Sequence, residues 1–260
     1  MKSEPICSLL SRAKYLDTIE LCMNATLDIL SIMKCVSKLQ YLRVLLLNLH
    51  DEKSLPREKE EIIASTVSKL EFPYLKKLNL QWCNGSLISS LQCPRLTQLV
   101  FRGTLCIIPD AGIVIRAFPL LEELYFVEKC IVESCMPTVA ASSSAIPYLT
   151  LDCVISDKTV ISIVSMCPMI TDFVLCSPDC TDTIISELHA RNLLQRCTYL
   201  GYECFPNATD TLVQTIAYFV DANPQMKRLY FWNFGDTYRN MRQQILDKSN
   251  VRIGFDDTSS

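Results

Sequence analysis

Cysteine is the residue type in this chain that could most readily carry chemistry. Cys176 and Cys180 are separated by three residues, and Cys130 and Cys135 by four, spacings that would suit two ligands of a zinc ion. A closed zinc site needs four ligands, usually Cys-x-x-Cys pairs or cysteine with histidine. The only two histidines lie far from these cysteines in the chain. We therefore predict that the chain binds no metal ion.

A Cys–His nucleophile pair is the second kind of chemistry that these residue types could provide. His189 falls in a predicted helix, where a surface or packing role is far commoner, and His50 falls in a predicted turn. With only 6 glycines in 260 residues, the chain also has little material for a Gly-rich phosphate loop. The sequence thus predicts a protein that is not an enzyme and needs no cofactor.

The composition predicts a protein that binds neither nucleic acid nor membrane. The net charge is −3 and the pI is about 5.5, so no basic excess is present to neutralise phosphates. No run of about 18 uncharged apolar residues could span a bilayer, and the N-terminus is a poor signal peptide. The 14 cysteines, without a secretion signal, indicate reduced and mostly buried thiols. We predict a cytoplasmic protein, with the nucleus as the other compartment that fits.

One pattern of three apolar residues, Leu-x-x-Leu-x-Leu, recurs along the chain. Eight steps of about 26 residues separate the first clear copy from the last, within the roughly 20–29 residues of a leucine-rich repeat. Weaker copies lie near Leu149, Leu194 and Val251, and the copy at Leu149 reads as one residue short, with Asp152 in an apolar position. The clear copies begin at Leu16, Leu42, Leu75, Leu96, Leu121, Ile170 and Met226.

Each copy predicts a short strand whose last two apolar residues face one side, where they stack on the next copy. Helix-like runs lie between strands, at 26–39, 59–70, 157–167, 181–196 and 210–222. Their predicted N-terminal caps are Asp157, Thr181 or Asp182, and Thr209 or Asp210. A predicted turn position holds Asn24, Cys83 and His50. Six prolines, taken to share one register, end the helices before the strands: Pro73, Pro94, Pro119, Pro147, Pro168 and Pro224.

These repeats resemble those of the F-box/leucine-rich-repeat family, which are of the ribonuclease-inhibitor type. Ser156-Asp157 through Cys167-Pro168 to Leu175 matches the family pattern closely, and Cys93-Pro94-Arg95-Leu96 matches part of it. The resemblance implies an α/β solenoid shaped as a horseshoe, with parallel strands on the concave face and helices on the convex face. We expect residues 1–255 to form one domain of about nine to ten repeats and 256–260 a frayed tail.

Members of this family commonly serve as substrate receptors of cullin–RING ubiquitin ligases, in which a separate F-box binds the ligase adaptor. The sequence departs from the family here, because the first coil begins by about residue 16 and the only Leu-Pro, Leu55-Pro56, leads into charged residues. The chain is therefore expected to be a fragment, an F-box-less relative, or a protein that binds without recruiting a ligase. The resemblance implies a non-catalytic substrate-recognition module; a ligase-independent scaffold or inhibitor is the alternative.

The predicted partner-binding residues flank the strand leucines and would line the concave face. Arg, Tyr and Trp are the types enriched at binding hot spots. The alternative is that these exposed side chains only pack on neighbouring strands. The bound protein itself is not predicted. The candidates are Lys77, Gln81, Arg102, Glu123, Tyr125, Arg228, Tyr230 and Trp232.

Overall fold

Parallel β-strands alternating with short helices make up the computed structural model, so the fold class is α/β as predicted. The structure describes residues 4–23, 29–49, 70–82, 85–103, 106–136, 144–181, 183–203, 210–232 and 251–256. The chain divides into two units, residues 1–136 and 137–260, which are described in turn. Within the described ranges no helix is long and apolar enough to cross a membrane.

The first unit contains a parallel sheet whose strand order follows the chain. The helices are α1 (Glu4–Arg12), α2 (Ile29–Val36) and α3 (Ala111–Ala117), and Gly85–Ser90 forms a 3₁₀ helix. The strands are β1 (Thr18–Met23), β2 (Val44–Leu49), β3 (Leu70–Glu71), β4 (Lys77–Gln81), β5 (Leu91–Gln92), β6 (Gln98–Arg102), β7 (Ile107–Ile108) and β8 (Glu123–Val132). The sheet runs β1-β2-β4-β6-β8, with β7 paired to β8; β3 and β5 pair separately.

The second unit repeats the same arrangement of strand and helix. Its elements are β9 (Tyr148–Val154), α4 (Asp157–Met166), β10 (Asp172–Cys176), α5 (Ile184–Ala190), β11 (Tyr199–Glu203), α6 (Asp210–Ala222), β12 (Arg228–Trp232) and β13 (Arg252–Asp256). All five strands are parallel and pair in chain order.

The predicted stacking of the repeat leucines is confirmed within each unit. In the first unit, Leu45 pairs with Leu78 and Leu47 with Leu80, and all four are buried. Equivalent buried positions continue through β6 and β8, where the rings of Phe101 and Phe126 stack with centroids 5.4 Å apart. In the second unit the ladders are Leu149, Phe173, Leu200 and Leu229, and Leu151, Leu175, Tyr202 and Phe231. Each repeat therefore completes its core only with its neighbours.

A second device fixes the register of these coils. Two consecutive backbone N–H groups at the start of one strand donate to a single carbonyl of the preceding coil. Thr97 and Gln98 donate to the carbonyl of Lys76 at 2.9 and 3.0 Å, and Thr171 and Asp172 donate to that of Pro147 at 2.9 and 3.0 Å. Because the same contact recurs in successive coils, it holds the strands in the alignment that stacks the leucines.

Five of the six prolines share one structural role, and the sixth corrects the prediction. Pro73, Pro94, Pro119, Pro168 and Pro224 each occupy the second position of a turn that is closed by a backbone hydrogen bond of 2.9 to 3.3 Å. Proline is favoured there because its fixed φ suits the turn. Pro147 instead follows the first apolar residue of its repeat and supplies the carbonyl described above. The prediction of one register for all six was wrong.

Three of the residues before these prolines follow helices as predicted, whereas Phe72 and Cys93 follow the two-residue strands β3 and β5. Cys167 and Phe118 end their helices with ψ of 65° and 85°, outside the α region that a following proline disfavours. Both side chains are buried, as are Phe72, Cys93 and Asn223 at the equivalent position. The position therefore contributes to the core and, where a helix precedes it, also ends that helix.

Two weak repeat copies were read in the wrong register. The copy at Leu149 is complete: it reads Ile146-x-x-Leu149-x-Leu151, and Asp152 takes an outward position. The copy placed near Leu194 reads Cys197-x-x-Leu200-x-Tyr202. In both copies the first residue is not leucine but Ile146 or Cys197, and this hid the spacing.

The predicted helices that fall within the described residues lie where expected, but not all of them reach the predicted length. The run at 157–167 is α4 and the run at 210–222 is α6, whereas 181–196 gives only Ile184–Ala190 followed by turns, and 26–39 gives α2. The N-cap of α4 is Ser156, not Asp157, and that of α5 is Thr183, not Thr181. The run at 59–70 lies outside the described residues except Leu70, which is in β3. Asn24, Cys83, His50, Asp182 and Thr209 also lie outside them.

Candidate protein-binding surface

In each unit the strands present a face that points away from the buried ladders. Along β4 and β12 the burial alternates from residue to residue: Leu78, Leu80, Leu229 and Phe231 are buried, and their neighbours keep part of their surface exposed. We call the side formed by these alternate residues the outward sheet face of each unit. All eight predicted binding residues lie on it, five in the first unit and three in the second.

In the first unit the predicted residues come together on three adjacent strands. Lys77 and Glu123 lie in one row across the sheet, with Gln98 of β6 between them, and Gln81 pairs with Arg102 in another. The carboxylate of Glu123 accepts hydrogen bonds from Gln98 Nε2 at 2.6 Å and from the Tyr125 hydroxyl at 2.9 Å. Glu123 therefore holds two neighbouring side chains in place. This is a structural role, and it is separate from the predicted role in binding.

Two cations of this face differ in their pairing. Arg102 Nε lies 3.4 Å from Glu128 Oε1, and both side chains are about half exposed, at 43% and 52%. An exposed ion pair of this kind contributes little to stability, because water screens it. Lys77 is exposed and has no ion pair with any residue that the structure describes. Both cations are thus accessible to a partner.

In the second unit Arg228, Tyr230 and Trp232 lie side by side on β12 and contact aromatic neighbours. The Arg228 guanidinium carbon is 5.3 Å from the centre of the Tyr199 ring, a cation–π contact. The rings of Tyr230 and Trp232 have centroids 4.6 Å apart and planes tilted by 56°. Burial raises the pKa of Tyr199, which the charge of Arg228 opposes. The three predicted residues form one aromatic and cationic patch.

Two glycines, which the sequence reasoning did not single out, make room for this patch. A Cβ at Gly254 would lie 2.7 Å from Tyr230 Cδ2, and a Cβ at Gly201 would lie 3.1 Å from Trp232 Cη2. Gly201 pairs with Tyr230, which pairs with Gly254, so bare backbone flanks the tyrosine on both sides. The rings of Tyr230 and Trp232 therefore come close to space that a side chain at either glycine would occupy. Reading the copy at Leu200 in its true register would have revealed Gly201.

Two acidic side chains lie near a buried thiol at the carboxyl end of β10. Cys176 is paired with Asp152 of β9 and lies beside Glu203 of β11. Burial first, and then the charges of Glu203 and Asp152, raise the pKa of the Cys176 thiol well above its usual range. The Cys180 thiol donates to the Ile155 carbonyl at 3.4 Å, and burial raises its pKa to about 12. With its pKa raised, neither thiol is activated as a nucleophile.

Cys130, Cys135 and His189 also take packing roles. Cys130 and Cys135 are buried, and His189 sits on α5 with its ring 5.1 Å from that of Tyr218 on α6. Across the portion of the chain that the structure describes, no group of three His, Cys, Asp or Glu residues is placed to hold a metal ion.

No protein-family model matches this chain, and no curated protein matches it closely enough to be counted a relative.

Proposed function

We propose that the chain is a non-catalytic protein-binding module of the leucine-rich-repeat type, in which the outward sheet face forms the concave side of a solenoid. Its function would be to recognise substrates for a cullin–RING ubiquitin ligase of the F-box/leucine-rich-repeat kind. The parallel strands in chain order and the recurring ladders support the architecture. The family resemblance of the repeats supports the ligase role.

The observation that carries the binding proposal is the patch of Arg228, Tyr230 and Trp232. Aromatic and arginine side chains dominate binding energies at interfaces. Tyrosine and tryptophan bury large areas with few side-chain torsions to order. Here the tyrosine and tryptophan rings are half-buried against glycine backbone, which holds them in place before a partner arrives. A preorganised patch loses less conformational entropy on binding.

The alternative is a ligase-independent scaffold or inhibitor that uses the same surface. It is favoured by the only Leu-Pro of the chain, Leu55-Pro56, which leads into charged residues and not into the apolar helices of an F-box. Both functions need the same patch, but only the first needs a ligase.

Affinity purification of the full-length natural protein separates the two functions. Proteins captured by the wild type are quantified by mass spectrometry and compared with those captured by Tyr230→Ala/Trp232→Ala. Tyr218→Ala is the matched control, because Tyr218 is 65% exposed on α6. We expect the double variant to lose its substrate at least tenfold, the effect of removing hot-spot residues, while cullin and its adaptor are retained.

The outcomes of this purification are distinct. Absence of cullin and its adaptor from the wild-type sample would favour the scaffold or inhibitor. Equal capture by the wild type and a correctly folded double variant would remove the patch from the proposal. Circular dichroism and the melting temperature of each variant establish that the fold is intact.

A further inference from the structure

A line of large exposed side chains crosses the first unit at the turns that precede its strands. Each belongs to the third residue of a turn, and the five turns precede the strands β1, β2, β4, β6 and β8. Tyr15 is 81% exposed, Tyr41 53%, Tyr74 46% and Leu120 56%, and Arg95 is also exposed. The turn hydrogen bonds that place them run from Leu16 to Ala13, Leu42 to Leu39, Leu75 to Phe72, Leu96 to Cys93 and Leu121 to Phe118. We call Tyr15, Tyr41, Tyr74, Arg95 and Leu120 the turn ridge.

The turns themselves do not require these residue types. The third position of such a turn accepts most residues and commonly holds a small polar one. The residue that follows in each of the last four turns is buried and belongs to the core, whereas the ridge residue is not. Three tyrosines and a leucine in the same exposed position therefore point to a contact outside the unit.

Two pairs of neighbouring ridge residues are in side-chain contact. The rings of Tyr15 and Tyr41 have centroids 5.6 Å apart, and the guanidinium carbon of Arg95 lies 5.3 Å from the centre of the Tyr74 ring. Tyr41, Tyr74 and Arg95 together line a depression of about 630 Å³. With strands about 4.8 Å apart, the five ridge residues span roughly 20 Å, the length of about six extended residues.

The charge around the ridge is basic, although the whole chain is acidic. Lys14 and Lys38 line a second depression, of about 430 Å³, beside Tyr15 and Tyr41. Neither lysine has an ion pair with the residues that the structure describes. Arg43 lines the larger depression with Arg95, and its own pair with Asp17 at 3.6 Å is well exposed and therefore weak. Such a surface attracts carboxylates.

From this combination we infer that the turn ridge docks an acidic peptide segment of a partner protein, in which carboxylate side chains alternate with apolar ones. The carboxylates meet Lys14, Lys38, Arg43 and Arg95, and the apolar side chains lie on the tyrosine rings. An extended segment suits the length of the row of turns. This site is separate from the outward sheet face, so it stands or falls independently of the proposed function.

The test selects ligands without presupposing their sequence. A random peptide library of about twelve residues, twice the span of the ridge, is panned on the full chain. Selected peptides are synthesised with fluorescein, and their affinities are measured by anisotropy. We expect acidic peptides that carry apolar residues. Their affinities should fall at least tenfold for Tyr41→Ala/Tyr74→Ala and for Arg43→Gln/Arg95→Gln, because both the apolar and the charged contacts are lost.

Controls separate the ridge from general effects of surface change. Tyr218→Ala and Lys158→Gln alter exposed residues of the second unit and should leave the affinities unchanged. Tyr230→Ala/Trp232→Ala should also leave them unchanged. Raising the salt from about 50 to about 500 mM should weaken binding, because the Debye length shortens.

Several results would overturn the inference. These are selected peptides without net negative charge, and equal binding by the ridge variants. Tighter binding of a labelled oligouridine or of anionic lipid vesicles at the same residues would assign the ridge to another class of ligand. Dimerisation of the chain that Tyr41→Ala/Tyr74→Ala abolishes would assign it to a second copy.

Discussion

The indole of Trp232 lies over Gly201 of the adjacent strand, so closely that a Cβ on the glycine would be 3.1 Å from two of its ring carbons. Val174 approaches the same point from the other side, also at 3.1 Å. The absence of a side chain at Gly201 thus leaves the space that the indole occupies. We consider this pair the structural basis of the aromatic patch on the second unit.

Replacement of this glycine should displace the indole without unfolding the chain. In Gly201→Val the new side chain occupies the space of the ring, so the indole moves into water and its fluorescence shifts to longer wavelength. The chain has 2 tryptophans, so the measurement is made with Trp82→Phe as background. Thr150→Ala, at an outward position of β9, should leave the emission unchanged. An unshifted spectrum in Gly201→Val would contradict the packing described.

Core and outward positions of one strand should differ sharply in their effect on stability. Phe126 is fully buried and stacks on Phe101, so Phe126→Ala should lower the free energy of unfolding by about 3–5 kcal/mol. Its neighbour Val127 is half-buried on the outward sheet face, and Val127→Ala should cost about 1 kcal/mol or less. Urea denaturation followed by circular dichroism measures both. Similar losses would mean that the ladder does not form the core.

The cap of α4 offers a test of the corrected helix start. Ser156 Oγ accepts a hydrogen bond from the backbone N–H of Thr159 at 3.4 Å, so Ser156→Ala should lower stability by about 1 kcal/mol. Ser162, inside the same helix, donates to the carbonyl of Lys158 at 2.9 Å, and Ser162→Ala should have almost no effect. Chemical denaturation of both variants compares them. An equal loss in the two would argue against a capping role for Ser156.

Alkaline pH should destabilise the fold through its buried thiols. Burial raises the pKa of Cys197 from 9.0 in an exposed thiol to about 12. Between these two pKa values the folded state retains a proton that the unfolded chain releases. The contribution of the buried neutral thiol to stability is therefore complete below pH 9 and is lost as pH rises towards 12. The loss is about 1.4 kcal/mol per pH unit.

The measurement is the difference in unfolding free energy between the wild type and Cys197→Ala as a function of pH. That difference should be constant below pH 9 and should decline in the range above it. Cys93, with a pKa that burial raises to about 12, should give the same profile when replaced by Ala. A difference that stays flat through pH 10 would show that the thiol is accessible to solvent.

The longer strands of this fold were predictable because most of them carry the same signature. Residues such as Leu78 and Leu80 alternate with polar neighbours, and the pattern returns at a nearly fixed interval. The repeat also predicted which side chains point outward, so Arg228, Tyr230 and Trp232 could be assigned to one face. Whether that face is the concave side of a solenoid stays a prediction.

Features that depend on contacts between coils were not predictable. The two-residue strands β3, β5 and β7 carry too few residues to show an alternation. Glu128 and Lys129 have positive φ of 58° and 61°. The sequence gives no sign of this, because neither residue is a glycine or an asparagine. The role of Gly201 and Gly254 emerges only when the rings of the neighbouring strand are in place, because it is a property of the pair and not of either residue.

Site-specific photo-crosslinking tests most directly whether the outward sheet face binds a protein. Benzoylphenylalanine is placed at position 230 or, as control, at position 218 of the full-length protein in cells, and adducts are identified after irradiation. We expect discrete protein adducts from position 230 that disappear in Trp232→Ala, and none of those adducts from position 218. Absence of adducts at 230, or the same adducts from both positions, would contradict it.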